Sequence, residues 1–156
     1  MMRMHSLLCC LLLFVIAAPA QETPNFSGTY ALTALKGEHT AKTLPKTTMK
    51  VTQNAGSIEI VESFDDGKTL TSKYALDGSE SKNLTSGGVP TTDKAEIKGK
   101  TLVIRSSYRL STGDTVHETE KWELSADSKT IKIHQQTHYE RMSMLDDSLN
   151  ETYQRQ

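Results

Sequence analysis

From Phe26 to the C-terminus, apolar and polar residues alternate with a period of two, and turn residues interrupt the alternation every eight to twelve positions. That spacing puts successive side chains on opposite faces of a strand, so it builds half-buried sheet rather than amphipathic helix. Twenty threonines reinforce the reading, because β-branched side chains suit a pleated surface. No stretch sustains a helical apolar period over three turns. The expected fold is all-β: an antiparallel up-and-down meander closing into a β-barrel of about eight to ten strands. Closure removes exposed strand edges and is preferred for that reason; a flattened β-sandwich is the alternative.

The hairpins predict their own registers. A two-residue turn at Gly99-Lys100, with glycine first as type II′ requires, sets Ile97 opposite Leu102 and Ala95 opposite Ile104. A loop over Ser111–Thr115 sets Leu110 opposite Val116, Ile104 opposite Trp122 and Leu102 opposite Leu124. The Ala126–Lys129 loop sets Leu124 opposite Ile131 and Trp122 opposite Ile133. Upstream, Asn54–Ser57 pairs Val51 with Ile60, and Asp65–Lys68 pairs Phe64 with Leu70 and Ile60 with Tyr74. All these pairings keep one apolar row on one face, which is what fixes register in a sheet with a buried side.

The N-terminus reads differently. Arg3 and His5 precede an apolar run from Leu7 to Ile16, followed by Ala17-Ala18-Pro19-Ala20. This is the layout of a secretory signal peptide over residues 1–20, with cleavage after Ala20. The run is shorter than the ~20 residues of a membrane span, so no transmembrane segment is expected after cleavage. Residues 21–25 are a polar leader, and 26–156 form a single barrel domain. The expected location is secreted or periplasmic. Both cysteines, Cys9 and Cys10, lie within the expected signal peptide, so the working chain is expected to carry no disulfide and no thiol chemistry. Across the chain 18 basic residues face 19 acidic ones, and a pI near 6.5 excludes the basic footprint of a nucleic-acid binder.

Phe26-Ser27-Gly28-Thr29-Tyr30-Ala31-Leu32 is similar to the opening strand of the calycins, the superfamily of lipocalins, fatty-acid-binding proteins and avidins, where it commonly reads Gly-x-Trp. The chain also resembles small exported bacterial proteins with an Asn/Asp-Phe-Ser-Gly-Thr-Trp start and a later Trp-x-Leu-Ser-x-Asp-Gly-Lys-Thr-Leu hairpin, here Trp122 to Ile131 with Ser128 in place of the glycine. Tyr30 stands where the family has tryptophan. The segment from Lys36 to Lys46 is too short for the two-helix lid of fatty-acid-binding proteins, and Tyr153-Gln154-Arg155 reverses their carboxylate-holding Arg-x-Tyr. The resemblance implies a lipocalin-like barrel that takes a small hydrophobic ligand inside.

The registers place polar residues on the inner row. Tyr108 is expected opposite Glu118 and Ser106 opposite Glu120, with Gln135 and Thr137 facing them and Glu62 paired with Ser72 upstream. Buried carboxylates need partners or water, so either one barrel end is wet or Arg141 reaches them. The candidate cavity has a floor of Ile104, Trp122 and Ile133 and a mouth of Tyr108, Glu118, Glu120 and Gln135; the plainer reading is solvated strand ends. His117, His134 and His138 share the outer face, with His117 opposite His138, and are weak metal candidates on a face where histidine is usually solvated. No nucleophile elbow, phosphate loop or metalloprotease motif occurs, and Ser86–Pro90 reads as a flexible glycine-rich loop.

The expected function is that of an exported, non-enzymatic protein binding a small hydrophobic or amphipathic molecule, with no cofactor. The alternative is a surface interaction module meeting a protein or glycan near Tyr30 or Met142–Leu145, a segment that otherwise folds inward to plug a barrel end. A small barrel enzyme is the third reading. The sequons at Asn25, Asn83 and Asn150 carry meaning only in a eukaryotic secretory pathway.

Overall fold

The computed structural model describes residues 23–37 and 43–156. The signal peptide expected over residues 1–20 lies outside the described residues, as do residues 38–42 of the short segment that would hold a lid. Ten strands follow in chain order: β1 (Gly28–Gly37), β2 (Thr48–Gln53), β3 (Ser57–Ser63), β4 (Thr69–Ala75), β5 (Asp77–Leu84), β6 (Pro90–Lys98), β7 (Thr101–Arg109), β8 (Thr115–Leu124), β9 (Thr130–Tyr139) and β10 (Asp147–Arg155). They form one antiparallel sheet in the order β4-β3-β2-β1-β10-β9-β8-β7-β6-β5. Every neighbour is the next strand in sequence except at β1–β10, where the first and last strands meet. This is a meander wrapped into a nearly closed barrel.

Closure is incomplete between β4 and β5, the two ends of the hydrogen-bonded order. Side chains of β5 take over the work of a ladder there. Asn83 accepts from the Lys73 N–H through Oδ1 at 2.8 Å and donates from Nδ2 to the Lys73 carbonyl at 3.0 Å, and Ser81 Oγ accepts from the Ala75 N–H at 3.1 Å. An edge that would expose unpaired backbone is satisfied without main-chain pairing.

Three predicted hairpins match the registers observed: Ile97↔Leu102, Leu124↔Ile131 and Val51↔Ile60. Two are offset by two residues. The β7–β8 ladder pairs Leu102 with Trp122, Ile104 with Glu120, Ser106 with Glu118 and Tyr108 with Val116. The β3–β4 ladder pairs Ile58 with Tyr74, Ile60 with Ser72 and Glu62 with Leu70. The cause is the same in both. Leu110 donates to the Asp114 carbonyl and Phe64 to that of Lys68, closing three-residue turns whose third residues, Gly113 and Gly67, adopt φ of +85° and +79°. Because the offset is even, every side chain stays on its expected face. Ser86–Gly88 is a third turn of this kind, with Thr85 donating to the Val89 carbonyl and Gly88 at φ +79°, so it is a tight hairpin rather than a flexible loop.

The inward apolar row fills one half of the barrel. Tyr30, Met49, Ile58, Leu102, Ile104, Trp122, Ile131 and Tyr153 are among its buried members. Phe26 enters from the chain preceding β1 and meets Trp122 edge-on, with ring centroids 6.4 Å apart. Gln53 anchors that entry: its Oε1 accepts from the Phe26 N–H and its Nε2 donates to the Pro24 carbonyl. Arg155 completes this closed end, stacking 5.1 Å from the Tyr30 ring centre and donating to the Tyr30 hydroxyl. Tyr30 is fully buried and offers no surface to a partner. Met142–Leu145 does not plug the barrel either: Ser143–Leu145 is one 3-10 turn, with Met144 90% and Leu145 48% exposed.

Candidate functional site

Towards the other end of the barrel, where β3 and β7 finish and β6 and β8 begin, the inward row changes from apolar to acidic. The period-two pattern that supplies Ile60, Ala95, Ile104 and Trp122 continues on the same strands into Glu62, Asp93, Ser106, Glu120 and Glu118. These polar side chains, with Ser72, Tyr74, Tyr108, Asn83 and Gln135, line a cavity of about 310 Å³ that opens at the rim by Phe64, Leu70 and Leu84.

On β8, Trp122 Nε1 donates to Glu120 Oε2 at 2.7 Å, which ties the acid to the apolar floor beneath it. Glu120 is half-buried, and the surface it retains faces the cavity. Burial pushes its carboxyl up to about 7, and the charges of Glu62, Glu118 and Asp93 push the same way. Tyr108 donates to Glu118 Oε1 at 2.8 Å across the β7–β8 ladder. Burial raises the Glu118 carboxyl as well, with Asp93 adding to the shift and the Tyr108 hydrogen bond opposing it. Glu62 is pushed up to about 7 by burial and by Glu151. Glu151, on β10, reaches about 7 through burial and the Glu120 charge. Burial also raises the phenols of Tyr74, Tyr108 and Tyr153.

Asp93 is the most enclosed of the acids at 1% exposure. Its Oδ2 accepts from Thr91 Oγ1 at 2.7 Å and from Asn83 Nδ2 at 2.8 Å, while Oδ1 is buried with no hydrogen-bond partner. An unmade hydrogen bond of this sort costs about 1–3 kcal/mol. Among the described residues, no lysine, arginine or histidine lines the cavity. Arg141 is exposed, and its contact is a backbone N–H donated to Asp114 Oδ1, so it does not neutralise the inner glutamates.

Of the residues singled out from sequence, Tyr108, Glu118, Glu120 and Gln135 stand in the cavity wall, and Ile104, Trp122 and Ile133 are buried in the apolar half below. Asp93 and Asn83 belong to the same wall and were not among them; the alternation running back from Ile97 and Ala95 on β6 carries Asp93 inward. The histidines lie outside. His117 Nε2 is 2.9 Å from Glu140, His134 Nδ1 is 2.9 Å from Asn150 and His138 Nδ1 is 2.8 Å from Asp146. His117 does pair with His138 across the ladder, but each ring turns to its own acceptor. Among the described residues, no group of three or more His, Cys, Asp or Glu side chains converges to hold a metal ion.

Other depressions lie outside the barrel. One of about 330 Å³ runs over the outer face of β8–β10 beside Lys121, Lys132 and His134, and a broader one of about 770 Å³ sits between Thr23–Asn25 and the turns at the closed end.

No protein-family model matches the chain, and no curated protein matches it in sequence. Solved structures do match in fold. Zebrafish ileal bile acid-binding protein complexed with cholic acid aligns at a TM-score of 0.63 and 14% identity, covering 84% of this chain and 98% of that one. Fatty-acid-binding protein 1 of Echinococcus granulosus aligns at 0.58 and 13% identity, covering 83% and 96%. Human cRBP IV aligns at 0.60 and 14% identity, covering 85% and 99%. At such identities the likeness is one of fold alone, an antiparallel β-barrel.

Proposed function

We propose that the barrel holds a small hydrophobic or amphipathic molecule in its open half and that the protein works after export. The observation that carries the reading is the cavity of about 310 Å³ above a filled apolar base. Its volume falls at the lower end of the ~300–1,000 Å³ range of ligand sites, which favours a compact ligand. Phe64, Leu70 and Tyr74 would receive the apolar portion and Tyr108, Glu118, Glu120 and Gln135 the polar one, whereas Ile104, Trp122 and Ile133 form the packed base beneath and do not line the cavity. Fold neighbours named for binding bile acid and fatty acid support carriage as the class of function. Catalysis has no comparable support, because the sequence carries no nucleophile-and-base motif.

Titration with the neutral fluorophore N-phenyl-1-naphthylamine tests the binding reading. Saturable, blue-shifted emission is expected, and it should vanish when Ser106→Phe fills the cavity. Non-saturable emission, together with an organic-solvent extract of the natively purified protein that contains no small molecule, overturns it.

Export rests on the sequence of residues 1–20 and on the resemblance of the Asn25–Tyr30 start to small exported bacterial proteins. Protein recovered from the periplasm or medium should begin at Gln21. An intact N-terminus on protein confined to the cytoplasm overturns this part of the reading.

A further inference from the structure

We propose that the ligand of this barrel is an organic cation, an amine on a compact apolar body, whose ammonium group is received by Asp93, with Glu118 and Glu120 completing the acidic wall around it. The inference rests on the reading that the open half of the barrel holds a ligand, and it specifies that ligand's charge.

Two independent observations point the same way. The first is the composition of the wall: Glu62, Asp93, Glu118 and Glu120 line the cavity, and no basic residue among the described ones does. An anionic headgroup entering this space would meet like charge from three strands, β3, β6 and β8, and like charge in a low-dielectric site is repelled strongly. The second is the Asp93 carboxylate. Its Oδ2 is fully engaged by Thr91 and Asn83, and its Oδ1 is buried with no partner. A carboxylate at 1% exposure held rigidly by two donors, with its other oxygen unsatisfied, is an acceptor waiting for a donor the protein does not supply.

The remaining contacts fit the same ligand. Glu118 and Glu120 each have one oxygen held by a protein donor, from Tyr108 and Trp122 respectively, which fixes their orientation and leaves a second oxygen on each. An ammonium carries three donors and no acceptor, matching a set of acceptors from β6 and β8. Charge-assisted hydrogen bonds of this type are roughly twice as strong as neutral ones. A bare metal ion fits less well, because among the described residues the carboxylates are not gathered into a group of three that could share one ion. They are spread over a cavity with room for about ten waters at ~30 Å³ each, the scale of a small organic molecule.

The test compares three ligands with the same tail, octylamine, 1-octanol and octanoate, titrated calorimetrically into the purified exported protein and its variants at pH 8, above the raised values of Glu62 and Glu120 and below that of an alkylamine. The proposal expects octylamine to bind at least about tenfold more tightly than octanol, with octanoate the weakest, as charge-assisted bonding to a desolvated carboxylate requires. In Asp93→Asn, and separately in Glu120→Gln, the ratio of amine to alcohol affinity should fall by about fivefold or more, whereas Glu123→Gln on the exposed outer face should leave it unchanged. Two variants on different strands guard against one failing to fold. Octanol binding as well as octylamine, octanoate binding best, or a ratio unmoved by both inner variants overturns the cationic assignment while leaving interior binding intact. If none of the three binds, the carriage reading falls and the assignment falls with it.

Discussion

Asn83 bonds the backbone of Lys73 twice, accepting from its N–H at 2.8 Å and donating to its carbonyl at 3.0 Å, and so stands in for a strand partner across the one unladdered seam of the barrel. The same Nδ2 also donates to Asp93 at 2.8 Å, which couples closure of the seam to the geometry of the cavity wall. Asn83→Ala removes all three bonds and is expected to cost about 2–3 kcal/mol, read from the urea midpoint, because Lys73 loses its partner and Asp93 loses one of its two donors. Hydrogen exchange should report faster opening at the Lys73 amide than at amides of β8 and β9. A loss below about 0.5 kcal/mol would mean that Ser81 and the flanking contacts hold the seam without it.

At the closed end, Tyr30 donates to the Phe26 carbonyl at 3.0 Å and accepts from Arg155 Nη2 at 2.7 Å, while Nη2 also donates to the Ser27 carbonyl. The arrangement requires glycine at position 28, where a Cβ would stand 3.0 Å from Arg155 Cζ and 3.1 Å from the Tyr30 ring. That requirement accounts for the Gly28-Thr29-Tyr30 spacing. Tyr30→Phe should cost about 1–3 kcal/mol, since it strips a donor from a buried carbonyl and an acceptor from the guanidinium. Arg155→Lys should lower the melting temperature nearly as far as Arg155→Ala, because an ammonium can neither stack flat on the ring nor reproduce the guanidinium fork. Full stability in Arg155→Lys would show that charge alone closes the barrel end.

The inward face was legible in the sequence because parity survives even errors of register. Placing Glu118 and Glu120 with Trp122 required only that β8 alternate without a bulge, and it does. What remained hidden was turn geometry: nothing in Asp65-Asp66-Gly67 or Ser111-Thr112-Gly113 alone distinguishes a three-residue turn from a longer loop, and that choice moves each pairing by two. The β4–β5 seam was hidden for a different reason. It is held by the Ser81 and Asn83 side chains against the Ala75 and Lys73 backbone, where no ladder periodicity exists to be read. Asp93 escaped notice because its importance lies in an oxygen left without a donor, which is a fact of three-dimensional packing.

Ser128 is the one non-glycine residue with positive φ among those described, at +57° in the β8–β9 turn. It stands where the resembling hairpin has glycine. An L-residue in this region pays a steric cost of about 1 kcal/mol, which glycine avoids. Ser128→Gly is therefore expected to raise the melting temperature by roughly 2–5 °C. Gly67→Ala and Gly113→Ala, at φ of +79° and +85°, should each lower it by a similar amount. A Ser128→Gly variant no more stable than the parent would show that its backbone carries no strain.

The buried carboxylates give stability an unusual pH dependence. Glu62, Glu120 and Glu151 are each raised from 4.5 to about 7 in the folded protein, chiefly by burial. Between these two values the folded state holds protons that the unfolded chain has released, so stability falls as pH rises and levels off once the folded groups have ionised. One such carboxylate forfeits at most about 3 kcal/mol by pH 8, and the three together less than three times that, because they interact. The exposed acids act oppositely. Hydrogen bonds hold Asp66, Glu96, Asp127 and Asp146 below their ordinary values, so stability also declines as they protonate under acid conditions. Calorimetry across pH should therefore place the highest melting temperature near about pH 5 and show it falling by roughly 5–10 °C towards pH 8. Glu120→Gln should flatten that fall and be more stable than the parent at pH 8, since it removes an ionisation that folding opposes while keeping an acceptor for Trp122 Nε1. A melting temperature that rises steadily from pH 5 to 8 would mean that these carboxylates ionise freely in the barrel.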